Sequence, residues 1–280
     1  MEPFGQQAGK RTLMNGSLTV RNEAFRIGML SSIIFLLAMF FWQIASTPSV
    51  GGRTQGLPGP LAVAKVTWEM LSEPFYDRGP NDKGIGLQVL ASLGRVAVGY
   101  GAASIVAIFA GVMLGLNPTL LKAANPYIQI LKPISPLAWM PLFLYTIKDS
   151  TGAMILVIFM STLWPTLANT AFGVSSIKRD YLQVASLLQL SWWRRFFRVI
   201  LPAAAPMIVA GLRISIGSAW VAVVAAEMLV GGTGIGYFVW NEWNNLSLTR
   251  VIFAILVIGA VGLILDLGFT RLAKVVAYTE

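Results

Sequence analysis

The apolar positions of this chain gather in long uninterrupted runs instead of alternating with polar ones. Six runs reach the roughly 20 residues that a helix needs to cross a bilayer: 27–45, 93–116, 126–147, 152–174, 200–230 and 249–275. The fifth and sixth exceed that length, which predicts tilted helices or ends that project into water. Between the fourth and fifth runs the pattern changes. The stretch "QVASLLQLSWWRRFFRVILP", 183–202, is amphipathic and basic, with a helical period that puts Val184, Leu187, Leu188 and Ser191 on one face. Trp192 and Trp193 suit an interface, Arg194, Arg195 and Arg198 stay hydrated, and Pro202 suits the early turns of the next span. A second short helix is predicted outside the spans, beginning near Pro60, with Leu61, Ala64, Trp68 and Leu71 sharing a face. It fits either a helix lying along the membrane interface or a docking surface for an outer partner.

Composition agrees with this pattern. Hydrophobic residues make up 56% of the 280 and charged residues only 12%, about half the charged share of a soluble domain. Cysteine and histidine are both absent, which excludes disulfides, thiolate nucleophiles, the commonest metal ligands and a Ser-His-Asp triad. A net charge of +9 suggests nucleic acid in a soluble protein, but in a membrane protein basic excess marks cytoplasmic loops. With the amino terminus inside, twelve basic residues fall on the cytoplasmic side: Lys10, Arg11, Arg21, Arg26, Lys122, Lys178, Arg179, Arg194, Arg195, Arg198, Arg271 and Lys274. Six fall outside: Arg53, Lys65, Arg78, Lys83, Lys148 and Arg250. That bias puts both termini and the 183–202 stretch in the cytoplasm, and it accounts for the charge with no nucleic-acid partner. The polar leader 1–26 precedes a first run too long for a signal-peptide core, which reads as a retained anchor.

Neither glycine cluster forms a phosphate-binding motif. "GQQAGKR" is one residue short of a phosphate-cradling loop and ends in arginine, and "GGTGIG" at 231–236 reads as a tight turn. The third run carries Pro126, Pro133, Pro136 and Pro141, which remove backbone donors and place it inside a bundle or beside a cavity. Small residues in the fifth, from Ala203 to Ala219, predict close helix packing. Intramembrane charges are functional candidates by default. Arg95 and Glu227 sit near outer helix ends, within reach of water or of each other; Asp266 is placed to pair with Arg271; Lys132 lies about two turns in from the cytoplasmic side; and Arg213 lies deepest. Arg213 fits either an ion pair or a position beside a pathway. Trp139, Trp164 and Trp220 fall within spans, while Tyr237, Phe238, Trp240 and Trp243 gather at the outer face as an aromatic belt. Substrate contact is the other reading of these rings.

The 183–202 stretch resembles the "EAA" loop of bacterial ABC-importer permeases: EAA, three residues, G, nine residues, then I-x-L-P. Gln183, Val184 and Ala185 take the EAA positions, Gln189 the glycine position, and Val199, Ile200, Leu201 and Pro202 the last four. Ala185, Leu201 and Pro202 match; the glutamines and Val184 depart. "LPGPLAVAKVTWEML", "LASLGRVAVGY", "LKPISPLAWMPLFLYTI", "GLRISIGSAWVAVVAAEML" and "GGTGIGYFVW" extend the likeness from Leu57 to the C-terminus. They resemble the nitrate/sulfonate/bicarbonate-type permease family, and "FVWNEWNNLSLTRVIFAILVIG" is most similar to its nitrate/nitrite and bicarbonate branch.

The resemblance implies an all-α membrane protein of about six transmembrane helices, of the type I ABC-importer permease kind, in a bacterial inner membrane. It makes 1–26 a cytoplasmic segment and 27–280 the permease domain, with a coupling loop at about 175–199. It assigns Gln183, Val184, Ala185, Ser186, Leu187, Leu188, Gln189, Leu190 and Ser191 to a helix that docks on cytoplasmic ATPases. It implies nitrate or nitrite transport first, bicarbonate second and sulfonates third. The expected partners are two ATPase subunits that bind ATP and magnesium, an extracytoplasmic solute-binding protein and a second permease copy. No cofactor is expected on this chain. Lys132, Trp139, Arg213 and Trp220 are the pathway candidates. The rivals are a secondary transporter or channel using Asp266, Glu227 or Arg213 as an ion relay, and an intramembrane enzyme, which no residue set supports.

Overall fold

The computed structural model of the chain describes residues 5–46 and 57–276; Arg53, counted above among the outer charges, lies outside the described residues. The chain divides into two compact units, 1–66 and 67–280. In the first, α1 (Gly5–Ala45) contains the candidate span Phe25–Ala45, and the Trp42 indole donates to the Pro58 carbonyl at 3.0 Å. The short helix α2 (Pro60–Ser72) begins at the predicted proline.

The second unit is a helical bundle built around α3 (Ile85–Leu116) and α6 (Ser150–Ser175). Gly99, Ala103, Ala107, Gly111 and Gly115 recur every fourth residue of α3 and are all buried, forming a smooth ridge that lets the two backbones approach closely. A Cβ on Gly111 would meet Thr170 at 2.7 Å, and one on Gly115 would meet Val174 at 2.6 Å. With no cavity to accept the added carbons, Gly115→Val is expected to cost about 1–3 kcal/mol. A lowered Tm of the detergent-solubilised protein would register it. On its other side α6 packs antiparallel to α9 (Leu201–Val230), where Gly211 lies against Asn169 and Thr166.

The third predicted run is not one helix. It is divided between α4 (Pro118–Leu131) and α5 (Met140–Ile147), joined through a 3₁₀ turn at Pro136–Trp139 and bent by 83°. Pro133 and Pro136 withhold two amide donors, and Ser135, next to Pro136, is extended with ψ 126°. Among the described residues the chain therefore has five helices long and apolar enough to cross a membrane, Phe25–Ala45 of the first unit and four in the bundle, plus this broken pair, or six crossings if the pair counts as one span. Large apolar side chains such as Ile105, Val221 and Ile264 stay exposed on its surface, as a hydrocarbon solvent allows.

The fourth loop contains α7 (Arg179–Leu187), followed by a single turn, α8 (Trp192–Arg195), and a π-turn at Phe196–Ile200 that runs directly into α9. Pro202 lacks the N–H that would bond to the Arg198 carbonyl, and the ladder widens just before it, with Leu201 N donating to Phe196 O. From Trp192 to Val230 the chain is one 39-residue helical span. After a glycine turn come α10 (Ile235–Asn244) and α11 (Leu248–Val276). The bundle thus has an α7 end and, opposite, an α10 end. Among the described residues there is no β-strand, only an isolated bridge between Asp77 and Lys83.

Candidate functional site

The break between α4 and α5 opens a cavity of about 500 Å³ at mid-bundle, lined by Lys132, Ser135, Ser161, Trp164, Gly217 and Ser218 among others. Each element supplies its share for a physical reason. Lys132 closes α4 as its C-cap. Pro165 in α6 cannot donate to the Ser161 carbonyl, and the Ser218 hydroxyl of α9 lies 3.2 Å from that carbonyl and 2.9 Å from Ser215 O. Among the described residues Lys132 has no ion pair. A free ammonium beside small hydroxyls and an indole suits a small anion more than a cation.

Of the four predicted pathway residues, only Lys132 lines this cavity. Trp139 stacks on Phe143, ring centroids 6.3 Å apart. Trp220 is buried, and its indole donates to the Ile258 carbonyl of α11 at 3.0 Å. Arg213 makes a two-pronged pair with Asp266, Nε to Oδ1 at 2.8 Å and Nη2 to Oδ2 at 2.9 Å. That corrects the expected Asp266–Arg271 pair: five residues along a helix rotates a side chain by about 140°, away from its neighbour. Antiparallel α9 and α11 bring Arg213 and Asp266 to one depth instead, where the planar guanidinium fits the carboxylate. Trp164 and Ser218 take the places in the cavity wall. The sequence shows them only as an in-span indole and a small packing residue, with no signal that they meet.

At the α10 end, Arg95 and Glu227 do find each other, Nη1 to Oε1 at 2.6 Å, with Glu227 fully buried. The pair holds the glycine turn. Glu227 Oε2 accepts from the Gly236 amide at 3.0 Å and from the Ser92 hydroxyl at 2.8 Å; Ser92 Oγ accepts from Ile235 N at 2.9 Å; Gln88 Oε1 accepts from Gly234 N at 2.6 Å; and Arg95 donates to Thr233 O. Gln88, Ser92 and Arg95 are one face of α3, at i, i+4 and i+7. Gly234 has φ +153° and its Cβ would enter the Glu227 carboxylate, so the turn needs glycine there for both backbone and space.

At the same end a larger cavity, about 770 Å³, is ringed by Trp68, Tyr76, Arg78, Asp82, Glu242 and Arg250, among others. Burial pushes the Glu242 carboxyl above the usual carboxylate range, while Arg250, 3.4 Å away, pulls it back. Burial and the bond to Asp82 push the Tyr76 phenol up. The Lys83 ammonium at 2.8 Å holds Asp77 down. Trp240 and Trp243 of α10 are half exposed, but Phe238 is buried, so the outer aromatic cluster divides between surface and core.

At the α7 end the predicted docking helix forms but ends early: of the nine assigned residues Gln183–Leu187 lie in α7, and Leu188–Ser191 follow its end. Ala185 is 2% exposed, whereas Val184, Leu187 and Leu188 are 53%, 82% and 66% exposed, and α7 rests against the π-turn below α9. The helix closes with Gln189 N donating to Ser186 O at 3.0 Å and Leu190 N to Ala185 O at 3.2 Å, the paired bonds of a Schellman stop. Such a stop requires a left-handed residue, and Gln189 supplies it at φ +46°. The pattern's glycine position is thus occupied by glutamine in glycine's conformation. Gln189→Gly is expected to relieve about 1–2 kcal/mol of this strain, partly offset by the greater freedom of the unfolded glycine. Slower amide exchange at Leu188 and Leu190 would show it.

The family described as binding-protein-dependent transport system inner membrane component matches residues 103–278. The nitrate import permease protein NrtB of Synechocystis sp. is 39% identical over 249 residues, 89% of each chain. The bicarbonate transport system permease protein CmpB of the same organism is 43% identical over 85% of each. The taurine transport system permease protein TauC of Escherichia coli is 31% identical over 91% of this chain and 89% of that one. Among solved structures, the inward-facing MetNI methionine ABC transporter aligns with a TM-score of 0.59, covering 68% of this chain and 95% of that one at 15% identity; that likeness concerns the fold alone.

Proposed function

This chain belongs to the family of binding-protein-dependent transport system inner membrane components, and from that membership we propose that it is the membrane subunit of an ATP-driven importer of nitrate. It is a multi-pass transport component of the inner membrane. The observation that carries nitrate is the 39–41% identity to nitrate import permeases over nearly nine-tenths of the chain. Bicarbonate is the second reading, favoured by identities of 43–44% over a slightly shorter stretch. Both anions are small oxyanions, and the Lys132 cavity supports either.

In this reading the α7 end faces the cytoplasm, as do both termini. The apolar patch of Val184, Leu187 and Leu188 seats in a groove on an ATPase subunit, where ATP and magnesium are held. Gln183, Ala185, Ser186, Gln189, Leu190 and Ser191 shape and close that patch. A second copy of the chain completes the pathway across a two-fold axis, and a solute-binding protein delivers the anion at the α10 end. Arg213 and Trp220 hold α9 to α11 through Asp266 and the Ile258 carbonyl.

The test is uptake into proteoliposomes containing this chain, its two ATPases and the receptor. Nitrate accumulation that requires ATP and the receptor is the expected result. Nitrate transport by this chain alone, without ATPases, would make it a channel or secondary transporter, and bicarbonate uptake with no nitrate uptake would move it to the other branch.

A further inference from the structure

A third cavity, about 320 Å³, lies at the α7 end of the bundle between α4 and α6, and neither the fold nor the transport reading assigns it a task. Its walls are Lys122, Asn125 and Ile128 on α4 and Ala168, Phe172 and Ser175 on α6, with two further apolar neighbours. The mid-bundle cavity shares α6 with it and meets α4 only at that helix's cap, Lys132; its other walls are the 3₁₀ turn and α9. On α6 the linings form one stripe: Ser161 and Trp164 for the upper cavity, then Ala168, Phe172 and Ser175 for the lower, at helical spacing. On α4, at 100° per residue, Lys122, Asn125 and Ile128 span an arc of about 120°, and Lys132 falls within it, about 15 Å further along. The two cavities are therefore successive stations of one seam along α6, with Lys132 at the upper and Lys122 at the lower.

The polar groups in this seam are available. Among the described residues neither Lys122 nor Lys132 has an ion pair, and the Asn125 side chain has no hydrogen bond. The Ser175 hydroxyl is already committed to the Phe172 carbonyl at 3.0 Å. No carboxylate lines either cavity. A seam with an ammonium at each station, an amide donor beside the lower one and no acid to neutralise them is electrostatically suited to an anion throughout.

We infer that Lys122 and Asn125 form a release site for the transported oxyanion, which passes to them from Lys132 before leaving at the α7 end. The inference rests on the transport reading above and adds to it a second station. A lipid phosphate offers the same chemistry as a free oxyanion at that depth, and the experiment separates the two. The full complex is reconstituted in phosphatidylcholine alone and with added phosphatidylglycerol, and nitrate uptake is measured as nitrate is raised on the ATPase side.

Lys122→Gln is expected to raise the nitrate concentration that halves uptake by roughly fivefold in both lipids. KM on the receptor side and basal ATPase rate should stay unchanged, and Lys122→Arg should restore the wild-type value. Product inhibition unaffected by Lys122→Gln, or affected only where phosphatidylglycerol is present, overturns the release site. If Lys132→Gln slows uptake in that case, the transport reading survives its loss. A wild-type complex that moves neither nitrate nor bicarbonate sinks both.

Discussion

Glu227→Ala is expected to destabilise the permease by about 3–5 kcal/mol, the cost of leaving one half of a buried ion pair without its partner. Arg95 is only 13% exposed and Glu227 not at all, so water cannot replace the lost carboxylate. The damage spreads because that carboxylate also accepts from Ser92 and from the Gly236 amide. Without it the amide at Gly236 is a buried donor with no acceptor. Glu227→Gln keeps the shape and one acceptor but loses the charge, and should fall between wild type and alanine. The double variant Arg95→Met with Glu227→Met should lose less than Glu227→Ala alone, since no unpaired charge remains. Thermal unfolding in detergent would rank the four proteins; Glu227→Ala melting at the wild-type temperature would show that the clasp contributes nothing.

The second large effect concerns association. Leu187→Asp is expected to weaken binding of the ATPase subunits by roughly 30-fold, the loss typical of one apolar anchor at the centre of an interface, while leaving Tm unchanged because Leu187 is 82% exposed. Ala185→Asp should behave differently. At 2% exposure its carboxylate has no room, so both Tm and association should fall. Copurification of the ATPases with each variant distinguishes the two outcomes, and a Leu187→Asp complex of full stoichiometry would remove α7 as the docking surface.

How far the sequence reveals this depends on whether the deciding interaction is local. Five of the long helices follow from apolar runs alone, and the start of α2 from Pro60, because burial and proline geometry act within a few residues. The Arg95–Glu227 pair is open to the sequence as one alternative, since both sit near outer helix ends. What stays hidden is register between helices. Nothing in the local pattern tells that Arg213 meets Asp266 and not that Arg271 does, because the choice depends on how far α11 slides along α9. The same applies to the wall of the mid-bundle cavity: Lys132 is visible as a lone charge, whereas Trp164 and Ser218 acquire meaning only when α6 and α9 are placed together. The third run was legible as irregular from its four prolines, but not as two helices turned by 83°.

The uninterrupted span from Trp192 to Val230 has one further consequence. At 39 residues it is a boom about 58 Å long, with the α7 loop bolted to its foot and the Glu227 clasp near its tip. A helix resists stretching far more than local rewinding, and the coil of this one is widened at the π-turn at Phe196–Ile200. A tug on the foot therefore has two fates: it is absorbed in that coil, or it arrives at the tip. Tightening the coil should carry more of each stroke to the opposite membrane face.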